Sequence, residues 1–192
     1  MKAGPILKTA VCKVFFLFVI LICTTSCRKN NQIESSLKND VFFKNDKEEV
    51  EAFFFISTAN VSKSIISKSQ IAQQKSSDST IQQLSKKIEI HENQLLGEIS
   101  KMATSRLIVI TEINATHKRY LYDLIDADRS NFNNEYLDSL TKSLCEQIEL
   151  FETISKETDD KTILQLVLHY LPEHYQLLRE TDSLRKQVKA NI

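Results

Sequence analysis

Apolar residues recur in steps of three and four along most of this 192-residue chain, the spacing that gathers them on one face of a helix. Val50, Phe53, Phe54, Val61, Ile65, Ile71 and Ala72 predict a first helix over residues 47–74. Asp46 is placed to cap it, and Glu48 and Glu49 sit in its positive first turn. Lys75-Ser76-Ser77 interrupts the pattern. Ile81, Leu84, Ile88, His91, Leu95, Ile99 and Met102 then predict a second helix, capped by Ser77 or Asp78 and reaching about Thr104. Leu107-Ile108-Val109-Ile110 is a β-branched run suited to extended backbone. Asn114 or Thr116 opens a short helix with Tyr120, Leu121, Leu124 and Ile125. Phe132, Tyr136, Leu140, Leu144, Ile148 and Phe151 form the stripe of a helix over 131–157. The last helix, capped by Asp159 or Asp160, carries Ile163, Leu166, Val167, Tyr170, Leu171, Leu177, Leu178 and Leu184. Pro172 inside it is expected to kink it, because the ring removes a backbone donor and crowds the preceding turn.

The four long segments match in length, at about 27 residues or ~40 Å each. Turns of about three residues make the first pair antiparallel, and likewise the last pair. A connection of about 25 residues between the pairs is enough to cross the bundle from end to end. The expected fold class is all-α: a four-helix bundle of ferritin-like topology, with one long crossover containing a short extra helix. Composition agrees. Beyond the first 27 residues the only glycine is Gly97 and the only proline Pro172, so the chain lacks the residues on which tight strand-to-strand turns depend.

The start of the chain has a different pattern. Lys2, Lys8 and Lys13 precede the apolar run Val14-Phe-Phe-Leu-Phe-Val-Ile-Leu-Ile-Cys23, and Thr24-Thr25-Ser26-Cys27 follows. This is the order of an export signal, and its final cysteine resembles the bacterial lipobox, in which the new N-terminal Cys is lipidated. Residues 1–26 are therefore expected to be a lipoprotein signal peptide, 27–45 a lipidated Cys27 and flexible tether, and 46–192 a helical-bundle domain. An ordinary cleaved signal and an uncleaved anchor are the alternatives, since Thr24 stands where Leu is commonest. The ten-residue apolar run is short for a span of roughly 20 residues. Arg28-Lys29-Asn30 places no Asp after the cysteine, which by lipoprotein sorting rules favours an outer-membrane, periplasm-facing position. Within the tether, Val41-Phe42-Phe43 is expected to pack back on the domain.

Charge narrows the partners. Lys+Arg and Asp+Glu balance at 25 each, and losing Lys2, Lys8 and Lys13 with the leader leaves a net charge of about −3. No basic field exists to recruit nucleic acid. Cys12 and Cys23 leave with the leader and Cys27 is expected to be lipidated. Cys145 then has no internal disulfide partner, and beside an apolar stripe it is expected to be buried.

Several stretches carry a family likeness: Glu51-Ala-Phe-Phe-Phe-Ile-Ser-Thr-Ala59, Ser76-Ser-Asp78, Ile88-Glu-Ile-His91, Phe132-Asn-Asn-Glu-Tyr136-Leu137, Ile148-Glu-Leu-Phe151-Glu and Tyr170-Leu171-Pro172-Glu-His174. In order and spacing they resemble DUF4142, a bacterial domain-of-unknown-function family of exported ferritin-like helical bundles, often labelled predicted outer-membrane proteins. The resemblance covers about residues 48–186. It implies histidines on the bundle helices. His91 matches the one on helix two and His117 approximates the one opening the short helix. Leu144 and Leu177 stand where the family has the others, with His174 close by.

Di-iron bundles need Glu-x-x-His twice, and three residues before the four histidines lie Ile88, Asn114, Leu166 and Leu171. Ferritin chemistry is not expected. His91, the polar member of the helix-two stripe, is read as a core histidine bonded to a helix-one serine or Tyr136, or else as a ligand. His169 and His174 are five apart and miss the i, i+4 spacing of helical zinc sites. Asp126-Ala-Asp128-Arg-Ser130-Asn131 resembles the start of a calcium loop but lacks its Gly and its bidentate Glu, so it reads as a capping turn. No nucleophile elbow, phosphate loop, CxxC or HExxH is present. The expectation is a non-enzymatic envelope lipoprotein without cofactor, binding a protein partner or an apolar small molecule. Residues 107–110 and the neighbourhood of Pro172, His174 and Tyr175 are its candidate surfaces. The alternatives are a ferritin-like metal-binding or redox protein, with His91, His174 and His117 as possible ligands, and a structural spacer.

Overall fold

The structure is a computed structural model and describes residues 46–190. The expected signal peptide, Cys27 and the tether with Val41-Phe42-Phe43 lie outside them. Among the described residues five helices make up an all-α bundle: α1 (Asp46–Lys75), α2 (Ser79–Ser105), α3 (Ala115–Asp126), α4 (Phe132–Glu157) and α5 (Lys161–Ala190). Among the described residues there is no strand, and no helix is long and apolar enough to cross a membrane.

The helix starts are fixed by side chains that satisfy free amides of the first turn. Asp78 Oδ1 accepts from the amides of Thr80 (2.7 Å) and Ile81 (3.3 Å). Asn114 Oδ1 accepts from His117 N (2.9 Å), and Asp160 Oδ1 from Thr162 N (2.7 Å) and Ile163 N (3.2 Å). Helix α1 includes Asp46 itself, where the sequence suggested a cap. α2 ends in a Schellman turn, with Ile108 N donating to Ala103 O (2.9 Å) and Leu107 N to Thr104 O (3.1 Å). That turn puts Leu107 at φ 60°, the left-handed region that glycine usually fills. The run 107–110 then alternates. Leu107 and Val109 are exposed, while Ile108 and Ile110 pack on the core.

α1 packs against α2, α4 and α3, and α4 packs against α5; α2 and α5 approach each other only sparsely. Being covered on three sides, α1 buries residues nearly all round. Thr58, Ser62, Ser64, Lys68 and Ser69 are buried together with Ala52, Phe54, Phe55, Ala59, Val61, Ile65 and Ala72. The single stripe expected there is corrected accordingly: Phe53 is 63% exposed and Phe55 takes the interior position. α5 remains helical through Pro172, which lies on its exposed side.

Two apolar clusters fill the bundle. One contains Ile65, Ile88, Tyr136, Leu140, Leu144 and Leu177, the other Phe54, Leu95, Ile99, Phe151, Leu166 and Tyr170. Between the two clusters in chain order, each long helix carries buried polar residues: Asn60 on α1, His91 and Glu92 on α2, Gln147 on α4 and His174 on α5.

Candidate metal centre

The polar layer contains one dense group. His91 and Glu92 come from consecutive positions of α2, and His174 comes from α5 four residues after Tyr170 and three before Leu177, on that helix's buried stripe. Glu92 and His174 have no solvent exposure, and His91 is 8% exposed. One ligand atom from each of the three lies within 4.8 Å of the other two.

The hydrogen bonds orient the rings. His174 Nδ1 is 2.8 Å from the Tyr170 carbonyl oxygen. A carbonyl can only accept, so Nδ1 carries the hydrogen and Nε2 is turned to Glu92 Oε1 at 3.0 Å. His91 Nδ1 lies 2.9 Å from Glu173 Oε2, and burial pulls the His91 imidazole below its ordinary pKa, against the opposing pull of Glu92. A neutral His91 donates Nδ1–H to Glu173 and keeps Nε2 as a bare lone pair. That Nε2 and Glu92 Oε2 are both buried without a hydrogen-bond partner. Buried polar atoms of native proteins are rarely left so. Aromatic walls enclose the group: the Tyr170 ring lies 5.4 Å from His91 and the Phe151 ring 5.3 Å from His174.

Two imidazoles and a carboxylate are a donor set for a divalent first-row transition ion. A backbone carbonyl and a carboxylate on their Nδ1 atoms are the outer partners that metal-ligating histidines use to fix tautomer and direction. Three protein ligands leave room for a further ligand in the ion's shell. The set does not fit a di-iron centre, which takes carboxylates from several helices and two Glu-x-x-His pairs; here one buried carboxylate meets two imidazoles.

The other residues singled out from sequence lie elsewhere. His91 is bonded to Glu173 of α5 rather than to a helix-one serine or Tyr136; Tyr136 shares a 2.8 Å hydrogen bond with Ser85. His117 is outside the group, buried with Nε2 3.7 Å from Glu146 Oε1. Near it, Lys68 Nζ donates to Ser143 Oγ (2.7 Å) and Ser139 O (3.2 Å). His169 is exposed. His174 is fully buried and so is no contact surface, and the neighbouring Tyr175 donates to Glu152. Cys145, expected in the core, is exposed, since it lies off the stripe that Leu144 and Ile148 share. The calcium-like stretch is a turn whose Asp128 carbonyl accepts from Phe132 N (2.8 Å). At its start Lys75 Nζ donates to the carbonyls of Ile125 and Ala127, so a lysine already occupies the end of α3.

Sequence reasoning missed Glu92 and Glu173. The signal for Glu92 was available: four residues after Ile88 and three before Leu95, it is an acid in a stripe position.

No curated protein and no solved structure matches the chain. The model of a family described as a domain of unknown function, DUF4142, matches residues 46–184, the whole bundle except the end of α5, and the chain belongs to that family.

Proposed function

We propose that this protein is a membrane-tethered, non-enzymatic helical bundle that binds one divalent transition-metal ion through His91, Glu92 and His174. The observation that carries the reading is the convergence, in a buried layer between two helices, of two oriented imidazoles and a carboxylate, with His91 Nε2 and Glu92 Oε2 unpartnered. Burying such groups without partners costs stability, and an ion would satisfy both. The lengths of the four long helices and the connection 106–131 carrying α3 support a ferritin-like topology. The leader ending at Cys27 supports lipid anchoring in the outer membrane, facing the periplasm. The test is metal content of the full chain, produced in its own envelope and purified without chelator. About one equivalent of a transition metal is expected, and it should fall away in Glu92→Gln and His174→Gln. A metal-free wild-type chain that takes up no added ion contradicts the reading. Failure of Cys27→Ser to release the protein from the membrane contradicts the tether.

Docking of an apolar small molecule is a second reading with one observation behind it. A groove of about 240 Å³ between α1 and α4 is lined by Val50, Phe53, Phe54, Leu150 and Ile154, with Phe53 standing out into solvent. Binding of an apolar fluorescent probe that Phe53→Ala abolishes supports it, and unchanged binding in that variant removes it.

A further inference from the structure

The group of His91, Glu92 and His174 spans a seam unlike the others in the bundle. α1 and α2, α4 and α5, and α1 and α4 pack closely, whereas α2 and α5 approach sparsely. Polar pairs recur along the middle of the seam between α2 and α5. Lys87 Nζ donates to both carboxylate oxygens of Glu180 at 2.7 Å. His91 meets Glu173 and Glu92 meets His174, and Tyr170 Oη donates to Glu98 Oε1 at 2.9 Å. Toward the start of α2 the seam stands open as a cavity of about 410 Å³, walled by residues of these two helices alone: Gln83, Leu84 and Lys87 face Glu180, Ser183 and Leu184.

Exposed ion pairs contribute little to holding two helices together, and a buried polar pair such as Glu92–His174 loses much of its attraction to desolvation. A seam this sparsely packed opens locally more readily than its closely packed neighbours. The ligand set of the proposed metal centre crosses this seam, with two donors on α2 and one on α5. Across the seam, Glu92 Oε1 and His174 Nε2 stand 3.0 Å apart, with all three donor atoms within 4.8 Å of one another. In a tetrahedral zinc shell with bonds of 2.0–2.1 Å, donor atoms lie about 3.4 Å apart. An ion held there therefore ties the two sides together at about their present spacing.

We propose that the ion acts as a clasp: its binding pins α5 to α2 across their sparse seam, and its loss leaves α5 free to part from α2 over the cavity next to Leu84 and Leu184. This deepens the metal-binding reading and rests on it. The seams of α1 with α2 and with α4 serve as internal references.

Hydrogen exchange of the full chain, with and without Zn2+, read alongside calorimetric titration of the same samples, tests it. The expected result is saturable Zn2+ binding together with exchange slowed about tenfold or more in Gln83–Lys87 and Glu180–Gln187. These segments lie a turn or more from the ligands, and the amides of α1 and of mid-α4 should change far less. Glu92→Gln should abolish the difference. Binding with equal slowing in all four long helices, or slowing confined to the ligands' own turns, overturns the clasp and leaves the metal site standing. Absence of Zn2+ binding overturns both.

Discussion

At the scale of single residues, the centre depends on partners that fix ring direction. Glu173 touches no ion in the proposed arrangement. It holds His91 Nδ1 from half-exposed ground at 2.9 Å, so Glu173→Gln is expected to leave the fold intact while weakening Zn2+ binding about 10- to 100-fold, read by calorimetry. Unchanged affinity would mean that His91 is oriented by packing alone. Leu107 is a second informative position. It holds φ 60° at the Schellman turn while 89% exposed, paying the side-chain clash of the left-handed region with little packing in return. Leu107→Gly is expected to raise stability by about 1 kcal/mol in denaturant unfolding, against the usual direction of a substitution to glycine.

At the scale of elements, the chain is legible where a helix has one buried face and obscure where it has several. The stripes of α2 and α4, including His91 and the six stripe positions Phe132, Tyr136, Leu140, Leu144, Ile148 and Phe151, lie buried as their spacing suggested, and Met102 is half-buried. The caps of α2, α3 and α5 follow from Asp and Asn at the pattern breaks. α1 is different, because α2, α3 and α4 all cover it, so serines, Thr58 and Lys68 are buried beside the apolar residues and no single face stands out. Phe53 and Phe54 separate the two situations. Phe54 is 2% exposed with its ring 5.4 Å from Phe151, and Phe54→Ala is expected to cost about 3–5 kcal/mol. Phe53→Ala is expected to stay within about 0.5 kcal/mol. Equal losses in thermal unfolding would contradict the placement of α1.

At the scale of the whole molecule, burial of charge gives the bundle a pH signature. Lys68, sunk between α1 and α4 beside Ser143 and the Tyr120 ring, has its pKa pushed down to about 8, chiefly by burial. Between pH 8 and the ordinary lysine value of about 10.4 the unfolded chain holds a proton that the folded chain has released, so stability rises with pH. Above about pH 10 the direction turns. Burial raises the Tyr136 hydroxyl to about 12, and an unfolded tyrosine ionises first. Stability measured by chemical denaturation should therefore climb from pH 8 to about 10, and Lys68→Met should flatten that climb; a wild-type profile that is level or falling there contradicts a buried Lys68.

The candidate site shows how far local sequence reaches. His91 is visible on its stripe, but spacing relates histidines along one helix, and this group is completed across two. Glu92, Glu173 and His174 meet only once α5 lies antiparallel to α2 in the right register, a fact that no local window contains.

The central claim is the metal centre, and titration of the full chain with Co2+, followed by visible absorption, tests it most directly. The expected result is ligand-field bands that saturate at one equivalent and vanish in both Glu92→Gln and His174→Gln. Bands that fail to appear, or that persist in those variants because His117 or His169 supplies them, would contradict the account.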